Sequence, residues 1–440
     1  FNLLMKPLFI ISCPIDTYSG YGSRSRDLVK AIIELDKYEV QILPQRWGKT
    51  SWGFIKDHLE DWGFLQPYLL PSGYNLPKQP EIWAQITVPN EFQPVGKYNI
   101  GFTAGIETTV CAAPWIEGLN RMDLNIVSSE HAKHVFENSQ FEKRSQETNE
   151  LIANIKLEKP VEVLFEGADI KKYFPKEKST IDLSTVKESF AYLFVGHWLS
   201  GVVGEDRKNV GFLVKSFYES FKNKKDAPAL ILKTTNGIVS YMDREQVLDK
   251  IHEIKSSVVA DTLPNIYLLH GDFTDQEMNE LYNHKKVKAM VNLTKGEGFG
   301  RPLLEFSMVK KPIVSTNWSG HTDFLDPKFT TLIGGKLTKV HPSAVVENVI
   351  LENSEWFTPN ITQTTNALID VAAQYKKYEK KAMLQYHKSK NNFSFEHMVE
   401  LLGVILEENV PDIPVAVQLN LPKLKKIEMP KLKKLDNVPG

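Results

Sequence analysis

Hydrophobic and polar positions alternate in blocks through the first 170 residues. Five short apolar runs have the length of buried strands: residues 8–13, 39–43, 81–86, 98–103 and 124–128. Apolar positions at helical spacing predict a helix over residues 23–35, and Ser129 is a suitable N-cap for another helix that ends near residue 138. Buried strands that alternate with helices are typical of a parallel sheet covered by helices on both faces.

The same alternation starts again after residue 175. Four further strands are predicted: residues 190–196, 229–233, 265–270 and 287–293. Beyond residue 342 the pattern is helical. Two consecutive series of this kind predict an α/β fold with two doubly wound, Rossmann-like domains that face a central cleft. Such sheets bind ligands beyond the carboxyl ends of their strands, so we expect the functional site in that cleft.

The segment from Lys295 to Glu305 joins the last of these strands to a helix predicted over residues 303–309. Its glycines let the main chain approach an anion closely, and a helix start leaves backbone N–H groups unpaired. Glu297 and Glu305, with seven residues between them, are predicted to face the same crevice, where carboxylates accept hydrogen bonds from hydroxyl groups. The segment therefore predicts a phosphorylated sugar as ligand. The alternative is that the glycines only form a tight connection between strand and helix.

This pattern resembles the signature of glycosyltransferase family 4, whose members are retaining sugar transferases of the GT-B fold. The two glutamates, Pro302 after the glycines and the sequence of residues 317–324 carry the resemblance. It implies that a sugar passes from a nucleoside diphosphate sugar to an acceptor hydroxyl group and that the anomeric configuration is kept. We expect UDP-sugars or GDP-sugars as donor substrates. The acceptor is a saccharide, a lipid-linked glycan or another hydroxyl compound.

The resemblance also assigns roles to the residues of this segment. Glu297 would bind hydroxyl groups of the transferred sugar, and Glu305 would bind those of the ribose. The main chain at Gly298, Phe299 and Gly300 would hold the diphosphate. An oxygen of the leaving diphosphate can then take the proton of the acceptor, so the reaction needs no protein nucleophile.

Two cations follow the predicted strand over residues 190–196. Lys208 matches the family's lysine by its position at the start of the next helix, and Arg207 stands beside it. Two fixed cations stabilise the negative charge that grows on a leaving diphosphate. The chain departs from the family pattern at His197, which stands where arginine is usual, and in a longer loop before Lys208. His197 contributes only if it is protonated or donates a hydrogen bond while neutral, and Arg207 is the candidate for the missing guanidinium.

Residues of the first domain complete the predicted site. Gly20 and Gly22 belong to a loop that closes over the donor diphosphate in the family, although ordinary turn glycines are the alternative. Glu107 follows the strand over residues 98–103, on the side where GT-B enzymes hold the acceptor. It either orients or deprotonates the acceptor hydroxyl group as a catalytic residue, together with Lys208 and Glu297, or bonds only within its own loop. Asp323 either lines the same pocket or caps a helix.

The resemblance also sets the expected domain limits. Residues 166–169 resemble the family's link between domains. This gives an N-terminal, acceptor-side domain over residues 1–170 and a C-terminal, nucleotide-sugar-binding domain over residues 171–392. A helix over residues 393–410 is expected to cross back onto the first domain. Residues 411–440 contain a basic eight-residue repeat with prolines, which forms either a solvated tail or a partner-binding arm.

The composition sets further limits. The 53 Lys and Arg residues nearly balance the 54 Asp and Glu residues, so the whole chain has no field that would hold it on nucleic acid or an anionic membrane. Cys13 and Cys111 have neither the spacing of a metal site nor the density of a disulfide scaffold, which favours a reducing cytoplasm. No apolar run reaches the roughly 20 residues of a membrane-spanning helix. Because carboxylates do not cluster as cation ligands, we expect a metal-independent enzyme without a cofactor.

Three other functions stay open. One is a phage-type transferase that glycosylates modified DNA bases, with the lysine-rich tail and Trp47, Trp52 and Trp62 as candidate nucleic-acid contacts. Those tryptophans either stack on a sugar or a base or, more often at such spacing, belong to the core. The other two functions are a nucleotide-sugar epimerase or hydrolase, which needs no acceptor, and a non-catalytic GT-B scaffold.

Overall fold

Two six-stranded parallel sheets form the framework of the computed structural model. The structure describes residues 6–48, 50–71, 73–145 and 147–413. The predicted basic tail lies outside these residues from position 414 onward. Within the described ranges, no helix combines the length and the apolar character needed to cross a membrane.

The first sheet is built from the first 163 residues. Its half of the chain contains the strands β1 (Leu8–Cys13), β2 (Glu39–Pro44), β3 (Ile82–Ile86), β4 (Tyr98–Thr103), β5 (Leu124–Val127), β6 (Phe141–Arg144), β7 (Leu151–Ile155) and β8 (Val161–Val163). It contains the helices α1 (Gly20–Glu34), α2 (Phe54–Asp57), α3 (Leu59–Trp62), α4 (Ala113–Leu119) and α5 (Glu130–Asn138). The sheet order is β2, β1, β3, β4, β5, β8, while β6 and β7 form a separate hairpin whose side chains are mostly exposed.

The second sheet has the strand order of a Rossmann fold. Its half of the chain contains the strands β9 (Ala191–Val195), β10 (Ala229–Lys233), β11 (Ile266–Leu269), β12 (Val287–Asn292), β13 (Ile313–Thr316), β14 (Thr331–Ile333), β15 (Gly335–Lys339) and β16 (Glu355–Pro359). It contains the helices α6 (Val210–Phe221), α7 (Tyr241–Ser256), α8 (Asp275–Asn283), α9 (Arg301–Ser307), α10 (Ile361–Ala373), α11 (Tyr375–Asn392) and α12 (Phe395–Asn409). The sheet order is β11, β10, β9, β12, β13, β14, and all its pairs are parallel. The predicted pair of doubly wound sheets is thus confirmed.

The sequence patterns located the long elements better than the short ones. They missed β8, β13 and β14, which have only three or four residues each. The prediction that the chain is helical beyond residue 342 is wrong at β16, which pairs with β15 as an antiparallel hairpin. Helix α1 begins at Gly20 rather than at residue 23, because the Ser19 side chain caps it by accepting a hydrogen bond from the N–H group of Gly22.

The two halves are joined by chain segments that pair with each other. The N–H group of Ala168 donates to the carbonyl of Phe393 at 2.9 Å, and the N–H group of Phe395 donates back to Ala168 at 2.8 Å. Helix α12 then packs against α1, where Arg24 Nη1 lies 3.1 Å from Met398 Sδ. The last described helix therefore lies on the first half of the molecule, while the domain limits at residues 170 and 392 stay a prediction.

The strand order places several loops at one point. In the second sheet the chain order reverses between β9 and β12, which are neighbours. The loop after β9 carries Arg207 and Lys208, and the loop after β12 carries Glu297. Loops at such a switch point form the crevice in which doubly wound sheets bind ligands. The fold therefore brings together residues that are about 90 positions apart in the sequence.

Candidate functional site

A cluster of ion pairs joins the three predicted catalytic residues. Lys208 Nζ lies 2.6 Å from Glu297 Oε1, and Arg207 Nη1 lies 3.3 Å from Glu297 Oε2. Arg207 Nη1 also donates to the carbonyl of Gly296 at 2.8 Å, and its Nη2 lies 3.7 Å from Glu107 Oε1. The cluster thus connects the loops after β9 and β12 to the loop after β4, across the cleft between the sheets.

Glu297 is the centre of this cluster, and its side chain is only 6% exposed. Burial alone would raise the pKa of Glu297, but Lys208 and Arg207 beside it bring that pKa down to about 2. The carboxylate is therefore charged at neutral pH. It forms ion pairs with Lys208 and Arg207, the two cations that an anionic ligand would need.

His197 lies close to the cations but does not add to their charge. Its Nδ1 lies 3.0 Å from Thr235 Oγ1. Burial lowers the pKa of His197, and the neighbouring charges of Lys208, Lys233 and Arg207 lower it further. The side chain is therefore a neutral hydrogen-bonding group rather than a substitute for the usual arginine charge. Lys233, at the end of β10, is a nearby cation that no sequence motif indicates.

The glycines after β12 make room for the first domain. A Cβ atom on Gly296 would lie 1.9 Å from the carbonyl oxygen of Glu107, and one on Gly298 would lie 2.7 Å from that of Ala104. Gly300 has a φ of +95°, which favours glycine, and it precedes helix α9. The loop sequence is thus explained in part by close packing across the cleft. Its role in holding a diphosphate stays a prediction.

Glu305 lies in different surroundings from Glu297. Arg301 Nε donates to Glu305 Oε1 at 2.9 Å, and the Tyr282 hydroxyl donates to Oε2 at 3.4 Å. Burial raises the pKa of Glu305 to about 7. Glu305 is not among the residues that line the cavity beside Glu297, and its side chain is bound to Arg301, one helical turn before it. Arg301 Nη1 also lies 2.5 Å from Asp27 Oδ2 on α1. Ribose binding by Glu305 stays a prediction.

A cavity of about 290 Å³ lies between the two sheets beside the ion-pair cluster. Several predicted site residues line it: Gly20, Glu107, Arg207, Glu297, Gly298, Phe299 and Gly300. Other predicted site residues do not line it: Gly22, His197, Lys208 and Glu305. Lys208 nevertheless contacts the cavity wall through its ion pair with Glu297.

Two of the predicted donor-binding residues, Gly22 and Phe299, have packing roles. A Cβ atom on Gly22 would lie 2.4 Å from the carbonyl oxygen of Thr17, so this glycine is needed inside the first domain, whereas Gly20 lies on the cavity. Phe299 is buried, and its ring packs against Phe324 with 5.0 Å between ring centroids. The main chain at residue 299 remains the part that is available to a ligand.

Other cavity residues have no definite role that the sequence predicts. Tyr21, Glu166 and Arg301 line the cavity, and Trp47 does so as one of three tryptophans considered as stacking groups. Arg301 could have been found, because it stands between the two glutamates of the signature segment. Trp47 and Glu166 carry no comparable signal, because only the tertiary fold brings them together.

Asp323 forms a hydrogen bond across the cleft. Its Oδ2 accepts a hydrogen bond from the N–H group of Glu130 at 2.9 Å, so it caps helix α5 of the other half of the molecule. Helix capping is thus the alternative that the structure supports. Within the described residues, no group of three or more His, Cys, Asp or Glu side chains could hold a metal ion.

Comparison with known proteins gives matches at the level of structure. No protein-family model matches the sequence, and no curated protein matches it. The Anabaena protein HepE, solved in complex with UDP and glucose, has a TM-score of 0.60 at 12% sequence identity, over 91% of this chain and 100% of that chain. A glycosyltransferase from Rickettsia africae has a TM-score of 0.58 at 12% identity, over 94% of this chain and 100% of that chain.

A third similar structure is the sucrose-phosphate synthase of Thermosynechococcus elongatus. Its TM-score is 0.58 at 11% identity, over 92% of this chain and 98% of that chain. These likenesses extend over both halves of the molecule, and at such low identity they establish the fold. The chain therefore has the predicted GT-B fold, and membership of family 4 stays a prediction.

Proposed function

We propose that the protein is a retaining glycosyltransferase that moves a sugar from a nucleoside diphosphate sugar to an acceptor hydroxyl group. The observation that carries the proposal is the binding of Lys208 and Arg207 to Glu297 at the switch point of the second sheet. Two cations and a carboxylate at this point match the needs of a ligand with a diphosphate and a hydroxylated ring. The resemblance of the surrounding segments to family 4 supports the same function.

Donor binding would exchange the partners in this cluster. The diphosphate carries more negative charge than the Glu297 carboxylate, so it would take over Lys208 and Arg207. Glu297 would then be free to accept hydrogen bonds from hydroxyl groups of the sugar. The ion pairs thus keep the cations fixed and partly neutralised until the donor arrives.

The backbone after Glu297 offers further donors to the diphosphate. Among the residues that the structure describes, no acceptor takes a hydrogen bond from the N–H groups of residues 298–300. Backbone N–H groups without a protein partner are suited to anionic oxygens. Together with Lys208 they would stabilise the charge that develops on the diphosphate as the glycosidic bond breaks.

The anomeric configuration of the sugar is retained if the acceptor attacks from the same side as the leaving group. The bond between the sugar and the diphosphate breaks, the acceptor oxygen bonds to the sugar, and its proton passes to an oxygen of the leaving diphosphate. Glu107 lies next to Arg207 on the acceptor side and would orient the acceptor hydroxyl group. The step requires no protein nucleophile and no metal.

For the donor we favour a UDP-sugar, with a GDP-sugar as the second choice. The support for UDP comes from the similar HepE structures, which were solved with UDP and with UDP-glucose. A panel of UDP-, GDP-, ADP- and TDP-sugars, assayed for thermal stabilisation of the protein, tests this choice directly. A ligand at a hundred times its Kd adds about 2.7 kcal/mol of stability.

The rate of sugar transfer from the donor that stabilises the protein tests the function when Lys208→Ala and Lys215→Ala are compared with the unmodified protein. Lys215 is exposed on α6, so its removal controls for the loss of a positive charge. We expect Lys208→Ala to lose about a hundredfold or more in transfer rate and Lys215→Ala to retain the rate. Fast donor breakdown without an acceptor would indicate a hydrolase or epimerase instead. Absence of binding to every nucleotide sugar would indicate a scaffold.

A further inference from the structure

An antiparallel hairpin of the second half of the molecule reaches across to the first half. Strands β15 and β16 form its base. Its far end is closed by a turn in which the N–H group of Val346 donates to the carbonyl of Ile350 at 3.0 Å, with Asn348 at a φ of +58°. We call residues 335–359 the arm and residues 340–354 its tip. The proposed reaction uses no residue of the arm, so its contacts need another explanation.

The base of the arm is fixed to the loop that carries Glu297. The N–H group of Phe357 donates to the carbonyl of Lys295 at 2.9 Å. Lys295 Nζ lies 4.5 Å from the centre of the buried Trp356 ring, at the distance of a cation–π contact. Lys295 stands two residues before Glu297. The base therefore belongs to the second half and to its side of the ion-pair cluster.

The arm also pairs with the loop after β4 in the first half. The N–H group of Thr109 donates to the carbonyl of Glu355 at 3.0 Å, and the N–H group of Glu355 donates to Thr109 Oγ1 at 2.9 Å. Thr109 stands two residues after Glu107, whose carboxylate lies beside Arg207. This reciprocal pair of hydrogen bonds therefore ties the first-half end of the ion-pair cluster to the arm.

Apolar contacts hold the tip against the first half. Val349 and Leu351 pack against a hydrophobic cluster whose buried members all lie between residues 8 and 161. A second contact runs through Trp318, whose ring stacks on Phe357 and meets the His131 ring of helix α5 edge-on at 4.7 Å between centroids. Burial of this apolar surface favours the docked position of the arm.

The arm differs from the segments that join the two halves. At residues 168 and 393–395 the chain itself passes between the halves, so these segments stay together during opening and can serve as a hinge. The arm instead begins after β14 and ends before α10, both of which belong to the second half. Its contacts with the first half are non-covalent and can therefore be released as a unit.

From these contacts we propose that the arm is a clamp, which holds the two halves closed before any ligand binds, and that its tip leaves the first half when the cleft opens. Release of the tip separates Glu107 from Arg207 and opens the cavity between the sheets. Nucleotide then enters and leaves at a rate that this release sets. The clamp itself is independent of the proposed function, and only its effect on nucleotide rests on that function.

The test compares the full chain, without ligand, with three variants. Leu351→Ser removes an apolar contact of the tip. Thr109→Val keeps the shape of the side chain but removes the acceptor of the Glu355 N–H group. Leu337→Ser is the control, because it makes the first change on the same arm at a side chain that is 42% exposed. Small-angle scattering gives the radius of gyration, and hydrogen exchange gives the protection of residues 105–112, which include the Thr109 N–H group.

We expect the unmodified protein and Leu337→Ser to have the same radius of gyration and a protected Thr109 N–H group. Leu351→Ser combined with Thr109→Val should expand the protein, and exchange of residues 105–112 should become at least about tenfold faster. Thr109→Val alone should shift exchange in the same direction, and Leu351→Met should restore protection because it keeps an apolar side chain. Circular dichroism shows that each variant remains folded.

Nucleotide kinetics test the consequence for the cleft. Stopped-flow fluorescence with a labelled UDP or GDP measures the rates of association and dissociation. We expect both rate constants to rise at least about threefold in the double variant and to stay unchanged in Leu337→Ser.

Two results would overturn the clamp. One is a folded double variant with the radius of gyration and the exchange of the unmodified protein. The other is an unprotected Thr109 N–H group in the unmodified protein. Unchanged nucleotide rates in an expanded double variant would overturn the kinetic role of the arm. If neither nucleotide binds to any of the proteins, the proposed function fails on its own, and scattering and exchange still decide whether the arm holds the halves closed.

Discussion

Lys208 Nζ and Glu297 Oε1 are 2.6 Å apart at the point where the strand order of the second sheet reverses. The two residues come from different loops and are the cation and carboxylate to which the sequence assigned opposite ends of the donor. Their direct contact means that each shields the other before a ligand enters.

Loss of Lys208 should destabilise the fold as well as the activity. In Lys208→Ala the buried Glu297 carboxylate keeps only Arg207, and removal of one partner of a buried pair costs about 3 kcal/mol or more. The double variant Lys208→Ala/Glu297→Gln should lose less than the sum of the two single changes, because it removes both members of the pair and Arg207 still has Glu107 as a partner. Urea unfolding of all four proteins measures this coupling. Additive changes would mean that the contact does not stabilise the protein.

Because of Glu297, the free energy of unfolding should decrease as the pH falls. Its pKa in the folded protein, about 2, is below its ordinary value of 4.5, so the unfolded chain binds the proton more tightly. Its contribution is therefore fully present above about pH 4.5 and is lost as the pH falls toward 2, on the order of 3 kcal/mol in total. The stability difference between the unmodified protein and Glu297→Gln should shrink over this range. A stability difference that does not change with pH would contradict the ion pairs of Glu297 with Lys208 and Arg207.

His197 should act as a neutral group. Because its pKa is lowered, replacement by Gln should change kcat/KM by no more than about fivefold, or 1 kcal/mol. Replacement by the family's arginine should lower the thermal midpoint, since it adds a cation beside Lys208, Lys233 and Arg207. Differential scanning calorimetry and donor kinetics measure both effects. A large loss in His197→Gln with full activity in His197→Arg would show that a charge is needed there.

Gly296 should be required for closure of the cleft. A Cβ atom at this position would meet the carbonyl of Glu107 at 1.9 Å, and neither backbone can move without separating the loops. Gly296→Ala should therefore destabilise the protein by about 1–3 kcal/mol and open the two halves. Gly63→Ala is the control, since its Cβ would make only ordinary contacts with Leu59. Small-angle scattering and thermal unfolding of both variants provide the measurement.

The parts of this structure that could be predicted from sequence were those with local signals. Apolar runs of five or six residues predicted β1, β4 and β10 at their observed limits, and a parallel sheet follows from their alternation with helices. Strands such as β14, with three residues, carry too little pattern to be separated from a loop. The sequence predicted that Lys208 and Glu297 bind the same ligand. It did not predict that the two side chains contact each other.

Other site features depend on contacts that no local pattern encodes. Spacing predicted that Glu305 faces the same crevice as Glu297, but it gave no sign of the ion pair between Glu305 and Arg301, one turn earlier in the same helix. The reason for glycine at position 296 lies in the backbone of residue 107, which belongs to the other half of the molecule. Trp47 could be named as an aromatic candidate, while its selection over Trp52 and Trp62 required the tertiary structure.

The most direct test of the central claim is a crystal structure of the protein with UDP, and with GDP in a second crystal. The account predicts diphosphate oxygens within hydrogen-bond distance of Lys208 Nζ and the Arg207 guanidinium, with the Glu297 carboxylate released from Lys208. An intact contact between Lys208 and Glu297, with nucleotide bound elsewhere or absent at saturating concentration, would contradict it.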